Sequence, residues 1–498
     1  MKALILLTLP LCLAFQLPFG IPGIFKTKGV PDTIESATGP ATPKIAIIGA
    51  GAGGSSAAFW ISKAKERFGL DIDVEIYDKS SYVGGRSTIV YPHDNTSLPP
   101  LELGASIFGE ESYETGIWDG EQIVVSMGNS WLDTLKLLWR YGLSPKRVQS
   151  LVDNMVKNLL IVYDQETPRW DNITSLSDAL GFASAIQSTT EDYLTAHGVS
   201  ELFAQELVDA ATRVNYAQNV NDIHALEGMV SMAASGAAAV QGGNRQIFEQ
   251  FVNRSGAKLL LNTTVSSIKP KSDSSRHWTV QSNLGSSEYM AVILASPFHS
   301  SGITLPESLS SLIPEQPYVH LHVTLFTTTS PTPNPAYFGL SDSSKIPQMI
   351  LTTSKGVRNG GQEPEFNSLS YLGTTREGEW AVKIFSMEPI SDEWLQKVFF
   401  GKVGWVYRKE WESYPILPPT GSFPPVRVDR GLFYVNAFEP FISTMETETI
   451  ASRNVVDLLL NEEFQTGICG SRISATERND TKATEGDPQE DFVYGWDC

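Results

Sequence analysis

Residues 44–54 read Lys-Ile-Ala-Ile-Ile-Gly-Ala-Gly-Ala-Gly-Gly, and Gly49, Gly51 and Gly54 carry the Gly-x-Gly-x-x-Gly spacing of a dinucleotide-binding turn. Gly49 permits a tight turn, Gly51 lets the backbone approach a pyrophosphate, and Gly54 lets helix and strand pack closely. Gly53 lies in the same loop. Ser55-Ser56-Ala57-Ala58 then open a helix whose free N–H groups and positive dipole end favour a phosphate. Val74-Glu75-Ile76-Tyr77-Asp78 reads as a second strand ending in an acid, placed to accept ribose hydroxyls. Gly84-Gly85-Arg86 follows. That trio suits a flavin dinucleotide better than a nicotinamide one, because an arginine fork can reach the second face of the longer molecule's pyrophosphate. Glu102-Leu103-Gly104-Ala105 reads as a segment returning beside the flavin, so the expected cofactor is FAD.

The elements that must hold these residues can be read from periodicity. The apolar run Ile45 to Ile48 is a strand feeding the glycine turn. Trp131, Leu132, Leu135, Leu138 and Trp139 share a helix face, and Pro145 suits the first turn of a second helix with a stripe at Val148, Leu151, Val152, Met155, Leu159 and Val162. Helical spacing continues from Leu176 to Ala211. Lys258 to Asn262, Val265 to Ile268, His277 to Val280 and Met290 to Ala295 read as strands, as do Tyr318 to Thr328, Trp380 to Phe385 and Gly431 to Asn436. A last helix is expected from an N-cap at Ser443 to about Leu460, aiming its dipole at the cofactor. His320 and His322 share a strand face, yet no third ligand stands near them in the chain. With no Cys-x-x-Cys and no His-Glu-x-x-His either, no metal site is expected.

The chain has 498 residues, is 41% hydrophobic and 19% charged, and carries a net charge of −19. These are globular values with an acidic balance, which argues against nucleic acid as a partner. Met1-Lys2 and the apolar run Ala3 to Phe15 read as a secretory signal peptide, residues 1–15, with a leader over 16–43. Five Asn-x-Ser/Thr triplets, at Asn95, Asn172, Asn253, Asn262 and Asn479, agree with passage through the secretory pathway. Cys469 and Cys498 are placed to pair in an oxidising lumen; two free thiols are the alternative.

Four blocks together resemble one family, the prenylcysteine oxidases, also called prenylcysteine or farnesylcysteine lyases. They are Ile47 to Gly51 with Gly84-Gly85-Arg86, Arg213-Val214-Asn215-Tyr216-Ala217-Gln218, Gln241-Gly242-Gly243-Asn244, and Ala437 to Glu446. The likeness runs from about residue 44 to 465 and departs at Ala217, where the family pattern has glycine. It implies an α/β fold: a Rossmann-like FAD-binding domain of the glutathione-reductase and amine-oxidase type (44–110, 225–300 and 425–465), interleaved with a mixed α+β substrate domain (111–224 and 301–424). Residues 466–498 form a tail. It implies FAD contacts at Gly49, Gly51, Gly53, Gly54, Asp78, Gly84, Gly85, Arg86, Gly104, Ala105, Val265, Glu439 and Met445. Asn215 and Tyr216 are the candidate catalytic groups, and Arg213, Asn244 and His224 the candidates for substrate. The implied activity is oxidation of the thioether of S-prenylcysteine by oxygen to cysteine, a prenyl aldehyde and hydrogen peroxide. It would run in a lysosome- or vacuole-like lumen or outside the cell, near membranes and with no protein partner. A long apolar pocket is required, and the stripes in 131–162 with residues 205–233 are expected to wall it. A secreted amine or polyamine oxidase, and a lipid carrier that kept the flavin fold without catalysis, are the competing readings.

Overall fold

The computed structural model describes residues 42–104, 114–127, 131–164, 167–233, 239–271 and 277–469. The expected signal peptide, the leader up to residue 41, Ala105, Asn479 and Cys498 lie outside them. The frame is a six-stranded sheet ordered Arg427–Asp429, Leu432–Tyr434, Ala291–Leu294, Lys44–Ile48, Asp73–Tyr77, Lys258–Leu260. The last five strands run parallel, and Arg427–Asp429 closes one edge antiparallel. Parallel strands are covered on both faces, which is why Lys44–Ile48 reads as an unbroken apolar run: Ile45, Ala46 and Ile47 have no exposure. From this strand the chain moves to Asp73–Tyr77 on one side, and later returns as Ala291–Leu294 on the other. That reversal opens a crevice at the strand's carboxyl end, where open α/β sheets bind their ligands.

The helix Ala52–Phe68 leaves from that end and buries Ala57, Ala58, Ile61 and Ala64. Its first turn meets the helix Met445–Phe464, where Ser452 Oγ donates to Gly53 O at 2.6 Å. A small residue at Gly53 is what lets the two backbones approach: a Cβ there would lie 3.0 Å from Val435 Cγ1 and 3.2 Å from Glu448 Oε2.

A second sheet of seven strands is ordered Val403–Pro415, Tyr318–Thr328, Glu379–Ser386, Ser368–Arg376, Met349–Thr352, Thr115–Trp118, Ile123–Met127. It is antiparallel except where Met349–Thr352 meets Thr115–Trp118. Strands of the two sheets alternate along the chain, so neither comes from one continuous segment. A three-stranded meander, Val265–Pro270, Trp278–Ser282 and Gly285–Tyr289, leads into Ala291–Leu294.

Three local readings differ from expectation. The stretch 176–211 is several short helices, because Gly181 and Gly198, each at φ 75°, end two of them in left-handed backbone. The strand expected to reach Asn436 ends at Tyr434 and passes into a 3₁₀ turn, Val435–Phe438. The last helix is capped by Thr444 rather than Ser443, with Thr447 reaching back to complete a capping box.

Candidate active site

The glycine turn is shaped by what side chains would collide with. Gly49 sits at φ 112°, and a Cβ there would lie 2.4 Å from Ala295 O, on the neighbouring strand's exit. A Cβ at Gly54 would lie 1.8 Å from Gly49 O, so only glycine lets the helix close on its own turn. Gly51 differs: its Cβ would meet nothing nearer than Gly85 Cα at 3.9 Å. Gly85, at φ 58°, faces it from the second glycine pair. Two bare backbones thus oppose one another across a gap, the form a diphosphate-binding cradle takes. Asp78 pins the turn, accepting from Ala50 N and Ser80 N, both at 2.7 Å. A carboxylate oxygen has a second lone pair, so both can still accept from ribose hydroxyls. Thr263 N donates to Asp78 O, which puts Val265, two residues on, at this same end.

Arg86 bridges from the cradle to both other parts of the fold. Its guanidinium donates to Ser413 O at 2.8 Å and to the carboxylate of Glu439, which Tyr318 also reaches. Glu448 lies in the same neighbourhood. Burial, reinforced by Glu439 and only partly offset by Arg86, pushes its carboxyl well above the usual range. Behind Arg86, a Cβ on Gly104 would meet Arg86 O, and Gly104 O accepts from Lys383 Nζ at 3.0 Å. Burial pulls this lysine down to about 8, against the opposing field of Glu102.

Several buried polar atoms of these converging segments have no partner among the described residues: Ser87 Oγ, Glu102 Oε2, Ser296 Oγ, Asn436 Oδ1 and Glu448 Oε1. Buried polar groups in folded proteins are nearly always satisfied, so this cluster marks where a polar ligand belongs. The open face at Gly51, the paired backbones and these donors and acceptors fit an FAD.

The remaining sequence candidates have structural work. Arg213 is buried and fully engaged: Nε donates to Thr352 Oγ1 at 3.1 Å, Nη1 to Asn219 at 2.7 Å and Nη2 to Glu363 at 2.7 Å. It ties the helix Asp209–Tyr216 to the seven-stranded sheet. Asn215 Nδ2 donates to Ala211 O and Ser231 O, tying its helix to the end of Ala225–Met232. His224 caps the helix Ala225–Met232. Its Nδ1 accepts from Glu227 N at 3.2 Å, so the proton sits on Nε2, 3.2 Å from Pro440 O. Burial holds the ring down at about 4, so it is a neutral imidazole committed to these two backbone contacts. Asn244 closes the turn after Gly242-Gly243, accepting from Val240 N, while its own N–H donates to Glu102 Oε1. A Cβ on Gly84 would stand 3.2 Å from Arg245 Cβ, so this block packs backbone-close behind the cradle instead of offering a polar end for an amino acid. Gly53 likewise serves helix packing, and Met445 is the exposed first residue of the last helix.

Tyr216 is part of a node the sequence did not show. Its hydroxyl lies 3.4 Å from Ser443 O, and its ring stands edge-on to Tyr414 at 5.7 Å. Glu227 Oε1 accepts from Ser443 N at 3.1 Å, and the Tyr216 hydroxyl bears on the same carboxylate. Burial carries this carboxyl up to about 8. With His224 on Pro440 and Arg86 and Tyr318 on Glu439, five side chains grip residues 439–443, the segment that launches the last helix. Tyr216 and Glu227 are thus positioning residues. No motif flags Glu227; its only signal was its place in an otherwise apolar helix.

The expected pocket walls are partly overturned. Val148, Val152 and Met155 are core, but Leu138 and Trp139 are exposed at 51% and 90%. Those two side chains look outward. Strand register also supplies what the chain order hid beside His320 and His322, since Glu412 and Glu410 stand directly opposite them.

Comparison with known proteins places these features. Residues 125–468 match the family described as prenylcysteine lyase, and residues 47–119 match an NAD(P)-binding Rossmann-like domain. A farnesylcysteine lyase of Arabidopsis thaliana is 31% identical over 464 residues, covering 85% of this chain and 88% of the relative. A Homo sapiens protein named prenylcysteine oxidase 1 is 27% identical, covering 86% and 90%. Among solved structures, cyclohexylamine oxidase from Brevibacterium oxydans shares the fold, with a TM-score of 0.52 at 16% identity over 85% of this chain and all of that one.

Proposed function

The chain belongs to the prenylcysteine lyase family, and from that premise we propose that it is an FAD-dependent oxidase cleaving the thioether of S-prenylcysteine. The single observation that carries this is the cradle between Gly51 and Gly85, intact and lined by unsatisfied polar atoms, in a chain whose relatives carry those names. S-prenylcysteine, water and oxygen go to cysteine, a prenyl aldehyde and hydrogen peroxide. When bound, FAD supplies the two-electron acceptor for the carbon beside sulfur, and oxygen takes those electrons onward.

The chain's own groups set the stage for that chemistry. Gly49, Gly51 and Gly85 admit the diphosphate, and the N-terminus of Ala52–Phe68 offers it free N–H groups. Asp78 receives the ribose. Arg86, fixed by Glu439 and Ser413 O, brings positive charge to the cradle. Burial biases Glu448 toward its protonated form, the form that can donate a hydrogen bond. Tyr216, Glu227 and His224 hold residues 440–443, and with them the positive end of Met445–Phe464. Removing a hydride equivalent from an activated carbon requires no strong base, so the absence of a Ser/His or His/Asp dyad among the proposed groups is consistent with the reaction.

A luminal or extracellular setting has support from the leader, from Cys469, which is disulfide-bonded, and from the sequons: Asn95, Asn172, Asn253 and Asn262 are all exposed. The exposed Leu138, Trp139 and Leu143, with Lys146 and Arg147 just after them in the chain, support a surface that lies against lipid. Farnesylcysteine added to the yellow purified protein under air tests the reading: equal yields of aldehyde and peroxide are expected, and neither product would reject it.

A further inference from the structure

His320 and His322 stand on one face of Tyr318–Thr328, and the edge strand Val403–Pro415 completes a constellation there. Antiparallel register sets His320 opposite Glu412 and His322 opposite Glu410. Ligand atoms of His320, His322 and Glu410 all lie within 4.8 Å of one another. His320 Nε2 is 3.6 Å and His322 Nδ1 3.9 Å from the same oxygen, Glu410 Oε2. Donors bound tetrahedrally to zinc at about 2.0–2.1 Å are about 3.3–3.4 Å apart. Small side-chain rotations therefore bring these three onto a common ion. His320 also has the support such ligands carry. Its other nitrogen, Nδ1, is 3.1 Å from Glu412 Oε1, a carboxylate contact that fixes tautomer and ring orientation and raises ligand basicity. The side chains of His320 and Glu410 are 53% and 67% exposed, leaving a fourth position to water, while His322 is more buried at 17%.

We propose that His320, His322 and Glu410 bind one divalent transition-metal ion of the zinc class, with Glu412 orienting His320 from behind. Two imidazoles and one carboxylate select zinc and its neighbours over calcium or magnesium, which prefer oxygen alone. The ion would join the edge strand to its neighbour. Both strands reach the cradle: Tyr318 contacts Glu439, and Ser413 O holds Arg86. The site would thus brace the sheet edge that supports the cradle.

The test uses the untagged, FAD-loaded protein, cleared of metal by chelator and dialysis and titrated with zinc chloride against a chromophoric zinc indicator. One equivalent should bind saturably, and magnesium chloride should not compete. His322→Asn and Glu410→Gln should each weaken binding by at least about tenfold, and Glu412→Gln by about tenfold with stoichiometry kept. Zinc should raise the melting temperature of the wild-type chain and leave that of His322→Asn unmoved. All three substituted side chains lie on the outer face of the sheet, and unchanged flavin absorbance would verify folding. No saturable binding up to about 1 mM zinc, or equal affinity in wild type, His322→Asn and Glu410→Gln, would overturn the proposal.

Discussion

Replacing Glu227 by glutamine probes the buried node beneath the last helix. Glu227 has no exposure, and burial outweighs its hydrogen bonds from Tyr216 and Ser443 to carry the carboxyl from 4.5 up to about 8. The folded chain therefore keeps a proton that the unfolded chain releases. Folded stability is full below the unfolded value, falls as pH rises through the window from about 4.5 to about 8, and is flat beyond it. Each pH unit within that window costs about 1.4 kcal/mol. Between about pH 5 and pH 7 the wild-type chain should lose on the order of 2–3 kcal/mol through this one group. Glutamine keeps an oxygen for Ser443 N and has nothing to ionise, so it escapes that loss. Urea-unfolding midpoints of both proteins, saturated with FAD, measure the difference at the two pH values. The variant should gain on the wild type by that amount as pH rises. Parallel pH profiles would refute the reasoning, since they would mean that the Tyr216–Glu227–Ser443 node is open to water and Glu227 ionises freely.

Gly51→Val should fold, because a side chain there enters the cradle rather than the core, but FAD content should fall by at least about tenfold; absorbance per mole of protein and far-ultraviolet circular dichroism check the two halves. Ala217 sits at φ 53°, the left-handed conformation that penalises a Cβ, so Ala217→Gly should stabilise the fold by about 1 kcal/mol in denaturant titration. Arg213→Ala removes bonds to Thr352, Asn219 and Glu363 and should cost about 3 kcal/mol of stability. Its KM for farnesylcysteine should stay within about twofold in the folded protein, whereas a sharp rise would return Arg213 to the substrate.

The cofactor half of the site was legible in the sequence because its chemistry is written in local order. Gly49, Gly51 and Gly54 follow a strand and open a helix, and no distant residue is needed to see why each is glycine. At Ala217, where glycine was expected, the backbone is left-handed, the conformation that favours glycine. The groups around Ser443 were illegible because they are assembled across the fold: Glu227 and Tyr216 meet it from more than two hundred positions away. Arg213 and Asn215 drew attention as polar residues in a distinctive block, and their partners, Thr352 and Glu363 or Ser231, come from distant segments that local order does not reveal. His320 and His322 were dismissed for want of a third ligand, and strand register, which sequence periodicity does not fix, supplied Glu410. Trp139 shows the converse: helical spacing identifies a stripe but not which side the core lies on.

The most direct test of the central claim is anaerobic mixing of the FAD-loaded protein with farnesylcysteine while absorbance is followed at about 450 nm, where oxidised flavins absorb. The account predicts bleaching by one equivalent of the thioether, release of one equivalent of aldehyde, and return of the colour when oxygen is admitted. Bleaching by a simple amine with none by farnesylcysteine would contradict it.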